Sequence, residues 1–315
     1  MPVRLELRRE HSRLGPMSGP WIRRPWIRDR MGPPDPAALA CATDNKGNTL
    51  AWGLYAPESE IELRVLCYGE APPPATWLED RIAGALRARE RLGLGLVSGD
   101  ADAPRTTGVR MINTEGDGLP GLVADRYGDD WVLQITTAAM AARQAAIIDC
   151  LSGHVRGRLF VLHPPAIAAR EGFASAPILP DAGDGDGEPP PLEFLEHGLR
   201  FRVPAPPSQK TGAYFDQRDN RRLIAELAAR RGGALLDLGC HVGGFAIHAA
   251  AAGVEAVGLD QSAAMLELAA ANAERCGVAS RTTWVRGDLF GPLDDPALDR
   301  RFATIVVDPP KIASS

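Results

Sequence analysis

LLDLGCHVGGF, residues 235–245, decides the fold. An apolar run carrying a single acid, ALLDLG (234–239), reads as a buried strand. GGFAIHAAAAG (243–253) reads as the helix that follows it, and the two are joined through a glycine-rich turn. Glycine lets backbone approach a ligand closely, and a helix N-terminus presents unpaired amides. The glycines fall at Gly239, Gly243 and Gly244, which is not the GxGxxG spacing of a dinucleotide loop. Asp237 at the strand end is also out of place beside a pyrophosphate, whereas a carboxylate there suits a cation or hydroxyls.

The same pattern repeats downstream. VEAVGLD (254–260) is a strand, SAAMLELAAANAERCG (262–277) a helix, and RTTWVRGD (281–288) and RFATIVVD (301–308) two further strands. Strands alternating with helices imply an α/β fold with a parallel sheet. Each strand ends in an acid: Asp237, Asp260, Asp288 and Asp308, the last opening DPPK (308–311). Ligands of such sheets bind at the carboxyl ends of the strands, and an acid after the second strand accepts from ribose hydroxyls. A single aspartate at a strand end is more often a helix cap; four in register beside a glycine loop favour a cofactor site. The ammonium group of S-adenosylmethionine fits Asp237, its ribose fits Asp260, and its adenine amine fits Asp288. Cys240 and His241 are adjacent, and adjacent residues do not form a nucleophile–base pair.

Towards the N-terminus, FDQRDNRRLIAELAARRGG (215–233) reads as a helix. Asp216 is its expected N-cap, with Asp219 three residues on, and Leu223, Ile224 and Leu227 are its expected buried stripe. LEFLEHGLRFRVP (192–204) is a hairpin, and the acidic DAGDGDGEPPP (181–191) is a linker. Before it, AAMAARQAAIIDCLSG (138–153) is one helix, RMINTEGDGLPGLVADRYGDDWVLQIT (110–136) is three strands, and ATWLEDRIAGALRARERLG (75–93) is an amphipathic helix. VRLEL (3–7), TLAWGLYA (49–56) and the alternating IELRVLCY (61–68) suggest a small β-barrel-like module, followed by the linker APPPA (71–75).

The 315 residues are 45% hydrophobic, which supports real cores. No apolar run is long enough to cross a bilayer and MPVRLELRRE has no signal-peptide character, so a cytoplasmic protein without membrane attachment is expected. Five scattered cysteines without CxxC pairs argue against a disulfide framework or a metal site. The net charge is −5, yet residues 1–30 carry eight arginines against Glu6, Glu10 and Asp29. Lysine occurs only at 46, 210 and 311, which leaves cationic work to arginine, the better phosphate ligand. Genomic composition explains an arginine bias equally well.

The chain resembles the RlmI-like large-subunit rRNA cytosine-C5 methyltransferases. The likeness is carried by EGDGLPGLVADRYGDDWVLQ (115–134), EHG (196–198), QKTGAYFDQRDNRR (209–222), VGGFA (242–246) and DPPK. The resemblance implies an N-terminal PUA-like domain (1–72), a central α+β domain (73–190) and a Rossmann-like class I methyltransferase domain (191–315). It implies S-adenosylmethionine bound by Asp237, Gly239, Cys240, Gly243, Gly244, Phe245, Asp260, Gln261, Asp288 and Leu289. Lys210, Thr211, Tyr214, Asp216, Gln217 and Arg218 would line or brace the pocket; capping and surface pairing is the rival reading for Asp216 and Arg218. Asp308, Pro309, Pro310 and Lys311 would form the catalytic loop, and the early arginines would touch large-subunit rRNA. A homodimer is compatible with it.

Two departures stand out. The family's early HPW-type segment appears here only as RPWIRDR (24–30). Cytosine C5 becomes nucleophilic when a thiolate adds at C6, and the family's cysteine lies beyond DPPK, whereas no cysteine follows Cys276. The expectation is therefore a truncated chain that retains part of the cofactor pocket, does not complete C5 transfer, and leaves strand 302–308 as an exposed apolar edge. A guanine-N7 or other rRNA base methyltransferase is the nearest rival, and a non-catalytic RNA-binding or assembly factor the rival of another class. Lys311 after DPP disfavours amino-group methylation, and the glycine spacing disfavours a dehydrogenase.

Overall fold

A computed structural model describes residues 2–94, 106–180, 189–207 and 212–308. The chain divides into two compact units, Met1–Ser98 with Arg110–Asp181, and Gly99–Val109 with Ala182–Ser315.

The first unit begins with six strands: β1 (Val3–Leu7), β2 (Trp21–Arg23), β3 (Ile27–Met31), β4 (Leu39–Thr43), β5 (Thr49–Tyr55) and β6 (Ile61–Tyr68). They form one mixed sheet in the order β2-β6-β5-β4-β1-β3, with β1 parallel to β4. β1 alternates as its sequence predicts, with Val3, Leu5 and Leu7 entering a core shared with Ile22, Ile27, Tyr55 and Leu63. β6 does not. Its alternation predicts one wet face, yet Glu62 and Arg64 are both buried. Glu62 accepts from Arg30 Nε (2.8 Å) and Nη2 (2.7 Å) and pairs with Arg24 at 3.2 Å. Arg64 donates to Glu171 Oε1 at 2.9 Å. A strand pattern cannot announce partners this distant in sequence.

Gly53 of β5 sits where the β5–β6 register shifts. A Cβ there would lie 2.3 Å from the Arg64 carbonyl oxygen and 3.0 Å from Val65 Cα, both backbone atoms. Gly53→Ala is expected to force these strands apart and destabilise the unit by about 3 kcal/mol, read as a lowered denaturant midpoint. An unchanged midpoint would refute the clash.

Next come α1 (Trp77–Arg91), β7 (Gly108–Asn113), β8 (Leu122–Tyr127), β9 (Asp130–Ile135), α2 (Ala138–Ala141), α3 (Gln144–Ser152), β10 (Leu159–Leu162) and α4 (Pro165–Glu171). The second sheet runs β10-β9-β8-β7 around the buried Tyr127, Trp131 and Phe160. The single helix expected over 138–153 is two. Thr137 caps α2 by accepting from Met140 N, the helix stops after one turn, and a second helix starts at Gln144.

The second unit contains the hairpin β11 (Leu192–Glu196) and β12 (Leu199–Val203), then α5 (Arg218–Arg231), β13 (Leu235–Leu238), α6 (Gly244–Ala251), β14 (Ala256–Asp260), α7 (Ala263–Arg275), β15 (Thr282–Arg286) and β16 (Thr304–Val307). The sheet is parallel throughout, in the order β15-β14-β13-β16. The order reverses at β13, which makes the carboxyl ends of β13 and β16 a switch point of the kind that binds ligands. β16 is an edge among the described residues, with Ile305 and Val307 more than half exposed. The expected linker falls mainly in 181–188, outside the described residues.

Two expectations for α5 need correction. Its N-cap is Gln217 without a side-chain cap bond, because Phe215–Gln217 already form a 3₁₀ turn ahead of the helix. Its buried face is Arg221, Ala225 and Ala228, while Leu223 and Leu227 are about half exposed. Ile224 alone of the expected stripe packs on the sheet core. No helix among the described residues is long and apolar enough to cross a membrane.

Candidate cofactor-binding site

One cavity of about 630 Å³ opens at the carboxyl ends of these strands. All four strand-end acids, Asp237, Asp260, Asp288 and Asp308, line it. So do Gly239, Cys240, Gly244 and Phe245 from the loop, and Gln261 and Leu289 from the later turns. Tyr214, Asp216 and Gln217 form the wall ahead of α5. Gly243 and Arg218 are not among the lining residues. Arg218 instead pairs with Asp219 through two bonds of 3.0 and 3.2 Å, the surface pairing that competed with a pocket role. Pro309, Pro310, Lys311, Lys210 and Thr211 lie outside the described residues.

The loop is built from the sheet outward. Gly239 and Cys240 both donate their N–H to the Leu259 carbonyl, which ties the loop to β14. His241 follows in a left-handed conformation, φ +50°. Its N–H donates to Asp260 Oδ2 at 2.9 Å, while Asp260 Oδ1 accepts from Ser262 N, also at 2.9 Å, at the start of α7. Asp260 therefore braces the turn that leads into α7, whose N-cap is Ser262, as well as lining the cavity wall. Asp288 closes a short turn by accepting from Phe290 N at 3.0 Å.

Asp237 is different. It is 2% exposed, and Ala246 N donates to its Oδ2 at 3.2 Å. Burial drives its carboxyl up to about 7; that amide bond and the Arg221 charge oppose the rise, and Asp308 and Asp260 add to it. A buried acid poised this way, next to a cavity, fits a cationic ligand group such as an ammonium. Burial likewise pushes the Cys240 thiol far up, so it is not a thiolate at neutral pH, and the His241 imidazole down. Burial, then the nearby Asp308, raises the Tyr214 phenol.

Arg221 is the wall residue that sequence reasoning overlooked. The signal was present in the hairpin: Leu192, Phe194 and Glu196 share one face of β11, and an acid on an apolar face calls for a buried cation.

Residues 235–309 match the family described as a methyltransferase domain, and residues 18–68 match the one described as a PUA-like domain. The ribosomal RNA large subunit methyltransferase of Deinococcus radiodurans is 32% identical over 93% of this chain and 72% of its own length. The chain belongs to that family. Ribosomal RNA large subunit methyltransferase I of Citrobacter koseri is 31% identical over 100% of this chain and 78% of its own. The Photobacterium profundum protein of that name is 31% identical over 86% of this chain but 66% of its own length, so the chain spans about two thirds of some curated relatives it matches. A solved structure from Streptococcus mutans, described as a SAM-dependent methyltransferase, superposes with a TM-score of 0.68 at 16% identity, over 92% of this chain and 72% of that one. That likeness establishes the shared fold. Both the PUA-like front and the methyltransferase sheet of the family are therefore present in this chain.

Proposed function

We propose that this chain binds S-adenosylmethionine in the 630 Å³ cavity and serves methylation of a cytosine C5 in large-subunit rRNA, in the cytoplasm. The observation that carries the cofactor reading is the convergence of four strand-end carboxylates and the glycine loop on one cavity at the switch point. Asp237 would face the ammonium, with Gly239 and the α6 amides forming the methionine-side wall. Asp260 would accept from the ribose, and Asp288 and Leu289 would flank the adenine. The bound cofactor supplies an electrophilic methyl group. Asp308 lines the same cavity and would stabilise an activated ring.

C5 chemistry also needs a thiolate at C6. None of the five cysteines has that character: burial is the leading cause pushing each thiol up. The C5 assignment rests on the family, and the cofactor site rests on this chain's geometry. Among the early arginines, Arg24 and Arg30 serve Glu62, and Arg28 serves Glu6. Arg4, Arg8, Arg9, Arg13 and Arg23 are exposed and form no ion pair among the described residues. These five are the phosphate contacts we assign.

Calorimetry with S-adenosylhomocysteine tests the reading. One site is expected, with affinity falling about tenfold per pH unit below pH 7 as Asp237 protonates. Absence of binding at pH 8 would refute it. Because C5 transfer needs a thiolate that these five cysteines do not supply, this chain is expected to transfer no label from the cofactor to deproteinised large-subunit RNA; 5-methylcytosine would overturn that expectation, and 7-methylguanosine would replace the C5 assignment.

A further inference from the structure

Glu196, Arg221 and His248 form a buried cluster behind the cofactor wall. Glu196 ends β11 and is fully buried. Both of its oxygens lie 2.8 Å from Arg221 Nη1, and Oε1 lies 3.5 Å from His248 Nε2. His248 is anchored in turn, with Nδ1 2.8 Å from the Gly244 carbonyl and its ring stacked on Phe201. Arg221 Nη2 donates to the Tyr214 carbonyl at 2.9 Å. Its guanidinium carbon lies 5.8 Å from the centre of the Phe245 ring. A Cβ on Gly244 would fall 2.6 Å from Arg221 Nε, so the glycine that opens α6 is matched to this side chain. Arg221 Nε is buried and has no acceptor among the described residues.

One side chain thus touches both walls of the methionine end: the turn bearing Tyr214, Asp216 and Gln217, and the N-terminus of α6. We propose that Arg221, held by Glu196, is a positioning residue for this end of the pocket, tying the Tyr214 turn to the glycine loop and setting the electrostatic balance around Asp237. The proposal rests on the cofactor reading above.

The physical case has two parts. A buried ion pair is a weak source of stability, because desolvation offsets the attraction. Yet α5 gives its packing face to this charge while Leu223 and Leu227 stay half exposed. The second part is charge. The ionisable groups acting on Asp237 are Arg221 from α5, Asp260 at the end of β14 and Asp308 after β16; the neighbouring Cys240 thiol is neutral. Arg221 is the one cation among these. Without it, two carboxylates and burial all favour the protonated acid, which cannot pair with an ammonium.

The test is S-adenosylhomocysteine calorimetry on the full chain from about pH 5.5 to about pH 9, with melting temperatures measured in parallel. The double variant Glu196→Gln/Arg221→Met removes both charges together, which leaves neither one buried and unpaired. It is expected to melt within a few degrees of the wild type, to bind about tenfold or more weakly, and to move the pH midpoint of binding up by about one unit. Arg221→Lys keeps the charge but loses the fork. It should keep the wild-type midpoint and bind several-fold more weakly, a split that a purely structural role does not produce. A double variant with wild-type affinity and midpoint would overturn the proposal while leaving the cofactor reading intact. If the double variant does not fold, unchanged affinity in Arg221→Lys overturns it alone. A wild-type chain that binds nothing would remove the cofactor reading and this proposal together.

Discussion

Asp237→Asn is expected to raise the melting temperature by several degrees at pH 8 while abolishing S-adenosylhomocysteine binding. The Asp237 carboxyl stands at about 7 in the folded protein, raised by burial, against about 3.9 in an unfolded chain. A group raised on folding contributes stability that is complete below the unfolded value and is lost as pH climbs through the folded one. Ionising Asp237 inside the protein therefore costs up to about 4 kcal/mol by pH 8, and nothing near pH 4. Asparagine stays neutral throughout, and its amide oxygen can still accept from the Ala246 N–H. The gain should grow between pH 4 and pH 7 and then level off. Ligand binding should vanish because an amide cannot pair with an ammonium. Melting curves across pH together with calorimetry decide the matter. Equal stabilisation at pH 5 and pH 8, or retained affinity, would contradict the assignment of Asp237 as the cofactor's charged partner. A functional acid that lowers the stability of its own fold is a common trade-off.

Gly243→Ala is expected to destabilise the second unit by about 3 kcal/mol and to weaken S-adenosylhomocysteine binding by more than about tenfold. Two costs combine. Gly243 has φ +84°, a left-handed conformation worth about 1 kcal/mol or more against any residue with a Cβ. The added methyl would also lie 2.6 Å from Trp284 Cη2, 3.0 Å from Ile247 Cδ1 and 3.2 Å from Ala269 Cβ. Trp284 is part of the core between the sheet and α6, so relieving the clash moves the loop instead, and with it Gly244 and Phe245 on the cavity wall. Gly277→Ala is the matched control: φ +70°, with nothing within 4 Å of the new methyl. It should pay only the conformational cost and bind normally. Equal losses in the two variants would show that packing at Gly243 is irrelevant.

Much of the second unit was legible because its signals are local. A strand followed by an acid recurs four times, the first time with a glycine-rich turn, and the cavity gathers all four acids. What escaped the sequence depends on partners far along the chain. Leucines looked like the buried face of α5, but Glu196, 25 residues earlier, draws Arg221 inward and turns the helix. Glu62 and Arg64 looked like a wet face of β6 until Arg24, Arg30 and Glu171 neutralised them. In sequence, Cys240 and His241 read only as an unsuitable nucleophile–base pair, yet the left-handed backbone of His241 and its N–H to Asp260 give it a structural part in the loop that no motif announced.

Asp260 grips the glycine loop with one oxygen and the N-cap residue of α7 with the other. The ends of the pocket proposed for the ribose and for the methionine thus hang from a single side chain. Anyone reshaping this pocket for a cofactor analogue with an altered sugar will find the two ends mechanically inseparable. If Asp260 holds the ribose as proposed, a substitution there that retunes sugar selectivity would at the same stroke loosen the glycine loop. Selectivity is more safely engineered from the side proposed for the adenine, where among the described residues the Asp288 carboxylate braces its own turn.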